Sequence, residues 1–351
     1  AGIVHAAVSP TGTMFVTGDI SDMSSMSFGG STLMGPGVYQ VALGALGSPF
    51  IFDLMIPNGM SYATPYQVAA ASNDASVFVG FYNGALDVAG QTLTSVGATD
   101  GYMIKFDSSG QIAWTKSIGG TGGDNVSGVA IGEDDSVYVS GYFANTLMIG
   151  PMGNSLMSAG GSDIFVAKFG PAGLNKWTRQ IGGIGEEFIF GTMAVAPNGD
   201  VVVASRASED ISVESTVLPA MGDSDIFIAR YSTDGVLQWA QRYGDAAAQF
   251  VDSVAVDTDG NILVTGTFQG SIDFGSGPLM APPNGGAYLA KLDPAGKPIF
   301  NRVIAGQMDG LRVAADGLSS ILFAGTGTNV SFELGTTLLP TGGIFLARFA
   351  P

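Results

Sequence analysis

The chain has no cysteine among its 351 residues and a single histidine, His5. These absences exclude disulfide frameworks, cysteine nucleophiles and His/Cys zinc sites. A Ser-His-Asp triad would depend on His5 alone, and His5 lies on the first predicted strand, where a structural role is expected. Charge is scarce and lopsided: 12% of residues are charged, and 30 Asp and Glu against 13 Lys and Arg give a net charge of −17. Such a surface repels nucleic acid and anionic lipid headgroups, so neither is expected as a partner. No apolar run reaches the roughly eighteen residues of a membrane-spanning helix, and no membrane insertion is expected. No charged start with an apolar core follows Ala1, so a signal peptide is expected to be absent or already removed. The sequence has no Gly-x-Ser-x-Gly elbow and no glycine-rich phosphate loop, and no cofactor is expected. A 3.6-residue apolar period is missing throughout, which predicts almost no helix.

What the sequence has in quantity is glycine, 53 residues, and apolar side chains, 46% of the total. It also has an internal repeat. Ser162-Asp-Ile-Phe-Val-Ala-Lys168 returns as Ser224-Asp-Ile-Phe-Ile-Ala-Arg230, and in shorter form as Gly286-Ala-Tyr-Leu-Ala-Lys291 and Gly343-Ile-Phe-Leu-Ala-Arg348. Its aromatic falls at Tyr39, Tyr102, Phe165, Phe227, Tyr288 and Phe345, so six copies follow one another at intervals of 63, 63, 62, 61 and 57 residues. Ahead of it lie two alternating stretches around a turn, as in Ser253-Val-Ala-Val-Asp-Thr-Asp-Gly-Asn-Ile-Leu-Val-Thr-Gly266, with Asp, Asn and Gly where positive φ is needed. An apolar pair five apart comes between (Val88/Leu93, Val213/Leu218, Phe274/Leu279), and a last stretch carries Trp114, Trp177, Trp239 or Phe300.

Each copy therefore reads as four short antiparallel strands, A to D. Such sheets cannot hide their apolar faces alone but can when stacked radially. The predicted fold is all-β, a six-bladed β-propeller in one domain over residues 1–351, with strand A innermost and the Trp-bearing strand D outermost. The copies span approximately 1–60, 61–120, 121–183, 184–244, 245–306 and 307–351. The last copy has no strand D after Ile344–Phe349, and only Ala1 and Gly2 precede the first strand A. A three-stranded last blade is expected, with an open edge along Ile344–Phe349 that a strand-donating partner could cover. The ordered set Val-Ala-Val-Asp, Gly-Asn-Ile-Leu-Val-Thr-Gly, Asp-Phe-Gly-x-x-x-Leu, Asp-Ile-Phe-Val-Ala-Lys and Trp resembles the bacterial β-propeller repeat family of secreted and cell-surface proteins. The resemblance covers the whole chain. It implies a fold and a secreted or cell-surface location, but no activity.

Several residues invite a chemical reading. Asp257-Thr-Asp-Gly-Asn261 faintly suggests a calcium loop, yet its Gly is fourth and it occupies a hairpin tip, so a turn is expected. Asp163 with Lys168 and Asp225 with Arg230 recur with the repeat and are expected to be scaffold pairs. Eight of the 13 basic residues sit at two repeat positions: Lys105, Lys168, Arg230, Lys291 and Arg348 at one, Lys116, Arg179 and Arg302 at the other. The Trp residues are expected to pack between blades. The acids that do not repeat are the site candidates: Asp124, Glu186, Glu187, Asp245, Asp252 and Asp309, all between one strand D and the next strand A. There they could form an acidic rim around an axial channel, receiving a basic ligand or a hard cation such as calcium, the alternative being a merely solvated rim. The B-to-C connections, long and divergent, are expected on the same side and to make that the working face. The function expected is a non-enzymatic secreted or cell-surface module that binds protein or glycan. The alternatives are a carboxylate-based glycan lyase or hydrolase, and a purely structural module of a surface assembly.

Overall fold

A computed structural model describes residues 2–20, 25–28, 31–44, 50–57, 62–149, 154–189, 192–316, 320–331 and 343–349. All regular structure in these residues is strand, and the fold is a six-blade β-propeller arrangement of small antiparallel sheets. Two compact units are distinguished, Ala1–Gln180 with Phe188–Gly191, and Ile181–Glu187 with Thr192–Pro351.

The first unit holds three blades, each ordered A-B-C-D. Their strands are Gly2–Val8, Met14–Ile20, Gly37–Leu43 and Phe50–Pro57 in blade 1, then Tyr62–Ala70, Ser76–Asn83, Asp100–Phe106 and Ile112–Ile118 in blade 2. Blade 3 is Gly128–Ile131, Val137–Ile149, Asn154–Phe169 and Asn175–Gly183, residues 181–183 of its last strand belonging to the second unit. In the second unit, blade 4 is Met193–Val195, Val201–Ala207, Asp225–Tyr231 and Leu237–Tyr243. Blade 5 is Ser253–Val256, Ile262–Phe268, Gly286–Leu292 and the first half of the long strand Pro298–Ala315. The second half of that strand begins blade 6, followed by Ile321–Ser331 and Gly343–Phe349. No described strand pairs with the outer edge of Gly343–Phe349, so the last blade is three-stranded among the described residues.

The repeat motifs are packing rules. The glycine at the place where Gly266 ends Val-Thr-Gly stands directly opposite the repeat aromatic on strand C: Gly80 faces Tyr102, Gly141 faces Phe165, Gly266 faces Tyr288 and Gly325 faces Phe345. A Cβ on Gly266 would lie 2.0 Å from the Phe250 carbonyl oxygen, whose lone pair already receives the Tyr288 hydroxyl at 2.9 Å. Glycine leaves the room that a fully buried ring fills. Strand C is buried at every position in blades 2, 4 and 5, because apolar residues on each face meet a neighbouring sheet. Thus Leu263, Ala287 and Leu289 of blade 5 pack with Leu311, Val313, Phe323 and Phe345 of blade 6. A fully buried Leu or Phe of this set contributes about 1.5–3 kcal/mol.

Polar groups lock the layers. Trp114 and Trp239 donate from Nε1 to the carbonyls of Pro171 and Pro294, in the C-to-D turn of the following blade, at 2.9 and 3.0 Å. Neighbouring A strands are bridged one repeat apart: His5 Nδ1 accepts the Val68 N–H (3.5 Å), Gln67 Oε1 accepts the Val129 N–H (2.8 Å) and the Ser127 hydroxyl donates to the Ile189 carbonyl. His5 is thereby placed in a structural role. Asp257 spends its carboxylate on the N–H groups of Asp259 and Asn261, on the Asn261 amide and on Lys291 at 2.9 Å, which makes Asp257–Asn261 a closed turn.

One expectation needs correction. Asp163 does not pair with Lys168, nor Asp225 with Arg230. Residues five apart on a strand point to opposite faces, and the basic side chains turn to the A-to-B turns instead. Lys168 meets Asp134 at 3.6 Å and Arg230 meets Asp200 at 3.0 Å. Asp163 and Asp225, fully buried, each accept the N–H of the residue four before (Ala159, Met221) and a side chain from strand D, Gln180 and Arg242 respectively. In blades 1 to 5 the B-to-C connections fold into small hairpins, such as Ala85–Val88 with Gln91–Thr94, which buries Leu86, Val88 and Leu93. In blade 3 the hairpin is continuous with strands B and C.

Candidate functional site

The D-to-A connections and the B-to-C hairpins lie together, as expected. The Asp245 carboxylate accepts the Ser271 N–H and hydroxyl, and the Thr121 and Thr146 hydroxyls are 3.0 Å apart. The six acids do not share one role there. Asp124 and Glu187 are buried and accept the N–H four residues earlier, from Gly120 (2.7 Å) and Gly183 (2.9 Å). Gln249 accepts the Asp245 N–H in the same way at 3.3 Å. Residues 124, 187 and 249 are thus one repeat position, a turn clasp that tolerates Asp, Glu or Gln. Burial pushes the Asp124 carboxyl up to about 7, with nearby Asp100 adding to the rise. Asp245 is held below the usual carboxylate range by the hydrogen bonds it accepts from Ala247, Ser271 and Gln249, which outweigh its partial burial. Glu186 is exposed.

The structure brings together two of the six. Asp252 feels Asp309 and Arg312; burial raises it to about 6, Arg312 working against the rise and Asp309 with it. Arg312 also donates to the Asp252 carbonyl at 3.4 Å. Beside them a cavity of about 170 Å³ is lined by Phe250, Phe268, Asn284 and Met308 among others, and the Arg206 guanidinium lies 4.7 Å above the Phe250 ring. Among the described residues no group of three or more His, Asp or Glu side chains is placed to hold a metal ion.

The more concentrated site, which the sequence reading passed over, is aromatic and lies in the first unit. Tyr62, Tyr66, Phe81, Tyr142 and Phe188 are all incompletely buried. Phe81 meets Tyr62 edge-on (centroids 6.0 Å) and Tyr66 at 5.5 Å, and Tyr142 meets Phe188 edge-on at 4.8 Å. The phenols of Tyr66 and Tyr142 interact with each other, and burial, with Tyr142 adding to it, raises Tyr66 to about 12. Asn125, 2% exposed, sits beside both phenols. Its Oδ1 accepts the Tyr142 N–H at 3.2 Å, and its side chain acts on both phenols, working against the rise that burial gives Tyr66 and Tyr142. Five rings, two of them bearing interacting phenols beside a buried amide, make a surface that can stack on a flat apolar face and hydrogen-bond around it.

The signal for this site lay in two variable repeat positions. The residue after the strand-B glycine position is Asp19, Phe81, Tyr142, Arg206, Thr267 and Thr326 in successive copies, where the residue before it is glycine in five of the six. Tyr62, Asn125, Phe188 and Phe250 occupy the other, just after the clasp.

Residues 238–267 match the Beta-propeller repeat family, covering the strand D of blade 4 through strand B of blade 5. The chain carries the β-propeller repeat. Curated relatives of this repeat-bearing chain include the Regulatory protein FlaEY of Caulobacter vibrioides, 28% identical over 193 residues (53% of this chain, 19% of that protein). An uncharacterized WD repeat-containing protein of Acanthamoeba polyphaga mimivirus is 24% identical over 337 residues, or 74% of this chain and 24% of that protein. The chain spans under a quarter of the length of these relatives. Among solved structures, polysaccharide lyase Uly1 is similar with a TM-score of 0.49 and 11% identity, over 98% of this chain and 76% of that one. A protein of unknown function from Dyadobacter fermentans gives 0.46 and 11%, over 98% and 92%.

Proposed function

We propose that this β-propeller is a binding module, secreted or displayed on a bacterial cell surface, that recognises a glycan through the aromatic face of its first unit. The observation that carries this reading is the cluster Tyr62, Tyr66, Phe81, Tyr142 and Phe188 around the buried amide of Asn125. Large rings left half-covered side by side mark a surface meant for a partner. A sugar ring offers the complement: axial C–H groups for the rings, and hydroxyls that can exchange bonds with the phenols of Tyr66 and Tyr142. Binding without bond cleavage is favoured because the most perturbed carboxyl of the first unit, Asp124, spends both oxygens on the backbone N–H groups of Gly120 and Ala144. A general acid or base must instead face its substrate. The experiment is a glycan and peptide array probed with the chain and with Tyr142→Ala, followed by incubation of any hit to look for cleavage. Retained glycans lost in the variant support the reading. Peptide-only retention, or product release, would replace it with a protein-binding or an enzymatic one.

A further inference from the structure

One recess of the second unit stands where the repeat elsewhere places a pair of large side chains. The residue after the strand-B glycine position meets the residue after the next clasp: Tyr142 meets Phe188 edge-on at 4.8 Å, and the Arg206 guanidinium lies 4.7 Å above the Phe250 ring. One copy further on, the two positions hold Thr267 and Gly310. Contacts one repeat apart fix this correspondence, since the Ser253 hydroxyl accepts the Val313 N–H at 3.2 Å and Arg312 donates to the Asp252 carbonyl at 3.4 Å. Buried Leu311 then follows Gly310 as Val251 follows Phe250. The space at Gly310 is open, for a Cβ there would have nothing within 4 Å. The cavity of about 170 Å³ lies at this pair, bounded by Thr267 and Met308.

Its size and its walls name a ligand. The volume is close to the roughly 150 Å³ that holds one six-membered ring. Phe250, Phe268 and Met308 supply an apolar wall, and half-buried Thr267 with exposed Gln269 and Asn284 supplies a polar rim. Backbone bonds set these walls before a ligand arrives: the Phe250 N–H donates to the Thr267 carbonyl (2.8 Å), the Gln269 N–H to the Ala248 carbonyl (2.9 Å) and the Gly285 N–H to the Pro282 carbonyl (2.9 Å). Such preorganisation lowers the cost of binding. A hydrocarbon ring would strip water from the rim and return no hydrogen bond. A sugar ring lays C–H groups on Phe250 and offers hydroxyls to Thr267, Gln269 and Asn284. The flanking charges, Arg206 and Arg312 with Asp252 and Asp309, are two of each sign and select neither an acidic nor a basic ring.

We propose that this recess is a second binding site, which takes a single uncharged hexose ring. It shares no residue with the aromatic face of the first unit and does not rest on the reading of that face. A ligand of about a dozen non-hydrogen atoms is expected to bind in the millimolar range.

The test uses the whole chain, wild type and carrying Tyr142→Ala, so that the aromatic face does not answer for the recess. Methyl glycosides of glucose, galactose and mannose are titrated and followed by amide chemical shifts, with glucuronate, glucosamine and p-cresol as charged and aromatic comparisons. In the Tyr142→Ala chain at least one neutral glycoside should bind and shift residues 267–269 and 284–286. Adding Thr267→Tyr puts a ring where Tyr142 has one in its own copy, and should weaken binding about tenfold or more, as overfilling a packed site does. Asn284 is exposed, so Asn284→Ala leaves the fold alone and should weaken binding about fivefold, the size of one hydrogen bond. No binding overturns the proposal, as does binding that ignores both substitutions. Tighter binding of p-cresol or of a charged sugar overturns it too, assigning the recess to an aromatic side chain or a charged ligand. Neutral glycosides bound by the wild type and lost with Tyr142→Ala would remove the recess while leaving the reading of the first unit in place.

Discussion

At the scale of single residues, the structure separates acids that serve the scaffold from side chains left to serve a ligand. Asp124 shows the first kind. Its carboxyl is raised to about 7 and that of Asp252 to about 6, while Asp100 and Asp163 are also raised, burial being the leading cause in all four. A folded-state pKa above the unfolded one gives stability that is present below pH 4 or so and is lost as pH rises through the folded value. Asp74, Asp134, Asp245 and Asp257 are lowered, and their contribution disappears in the opposite direction, as pH falls below the ordinary carboxylate range. The melting temperature should therefore peak on the acid side of neutral and decline between about pH 5 and pH 8. Asp124→Asn should flatten that decline, and an unchanged profile would show that Asp124 ionises without strain. Glycine makes a second residue-scale case. Gly266→Ala places a methyl against the Phe250 carbonyl and the Tyr288 hydroxyl, and denaturant unfolding should show a loss of about 1–3 kcal/mol, as for other overpacked sites.

At the scale of the strand, blades 2, 3 and 4 each tie C to D through one buried acid. Blade 4 does it with a buried ion pair, Asp225 with Arg242 at 2.9 Å, and blade 3 with a neutral partner, Asp163 with Gln180. Arg242→Met strands the Asp225 charge and should cost about 3–5 kcal/mol. Arg242→Gln imports the solution used by blade 3 and should cost clearly less, as read by urea midpoints of the two variants. Equal losses would mean that Arg242 matters through its bonds to the carbonyls of Glu209 and Leu218 rather than through Asp225. Much of this scale was legible in the sequence, since the strand order, the six aromatic positions and the turns all follow from alternation and recurrence. The partners of the charges were not legible. Proximity along the chain suggested Asp163 with Lys168, but the pleat sends them to opposite faces, and their true partners lie 17 and 34 residues away, at Gln180 and Asp134.

At the scale of the molecule, a repeat conceals its site by making acids look exceptional that are not. Asp124 and Glu187 seemed to break the pattern because Gln249, their equivalent, is not an acid; the backbone N–H that each accepts reveals the shared position. The aromatic cluster escaped notice for the reverse reason. Its rings come from blades 2 and 3 and from Phe188, and no short stretch of sequence displays them together. The central claim is that this cluster binds a glycan. Amide hydrogen exchange of the chain with and without an array-selected oligosaccharide tests it most directly. The account predicts slowed exchange concentrated at residues 62–66, 80–82, 125–127 and 141–143. Protection confined to residues 250–252 and 308–312, beside Asp252 and Asp309, would contradict it and return the site to the acids.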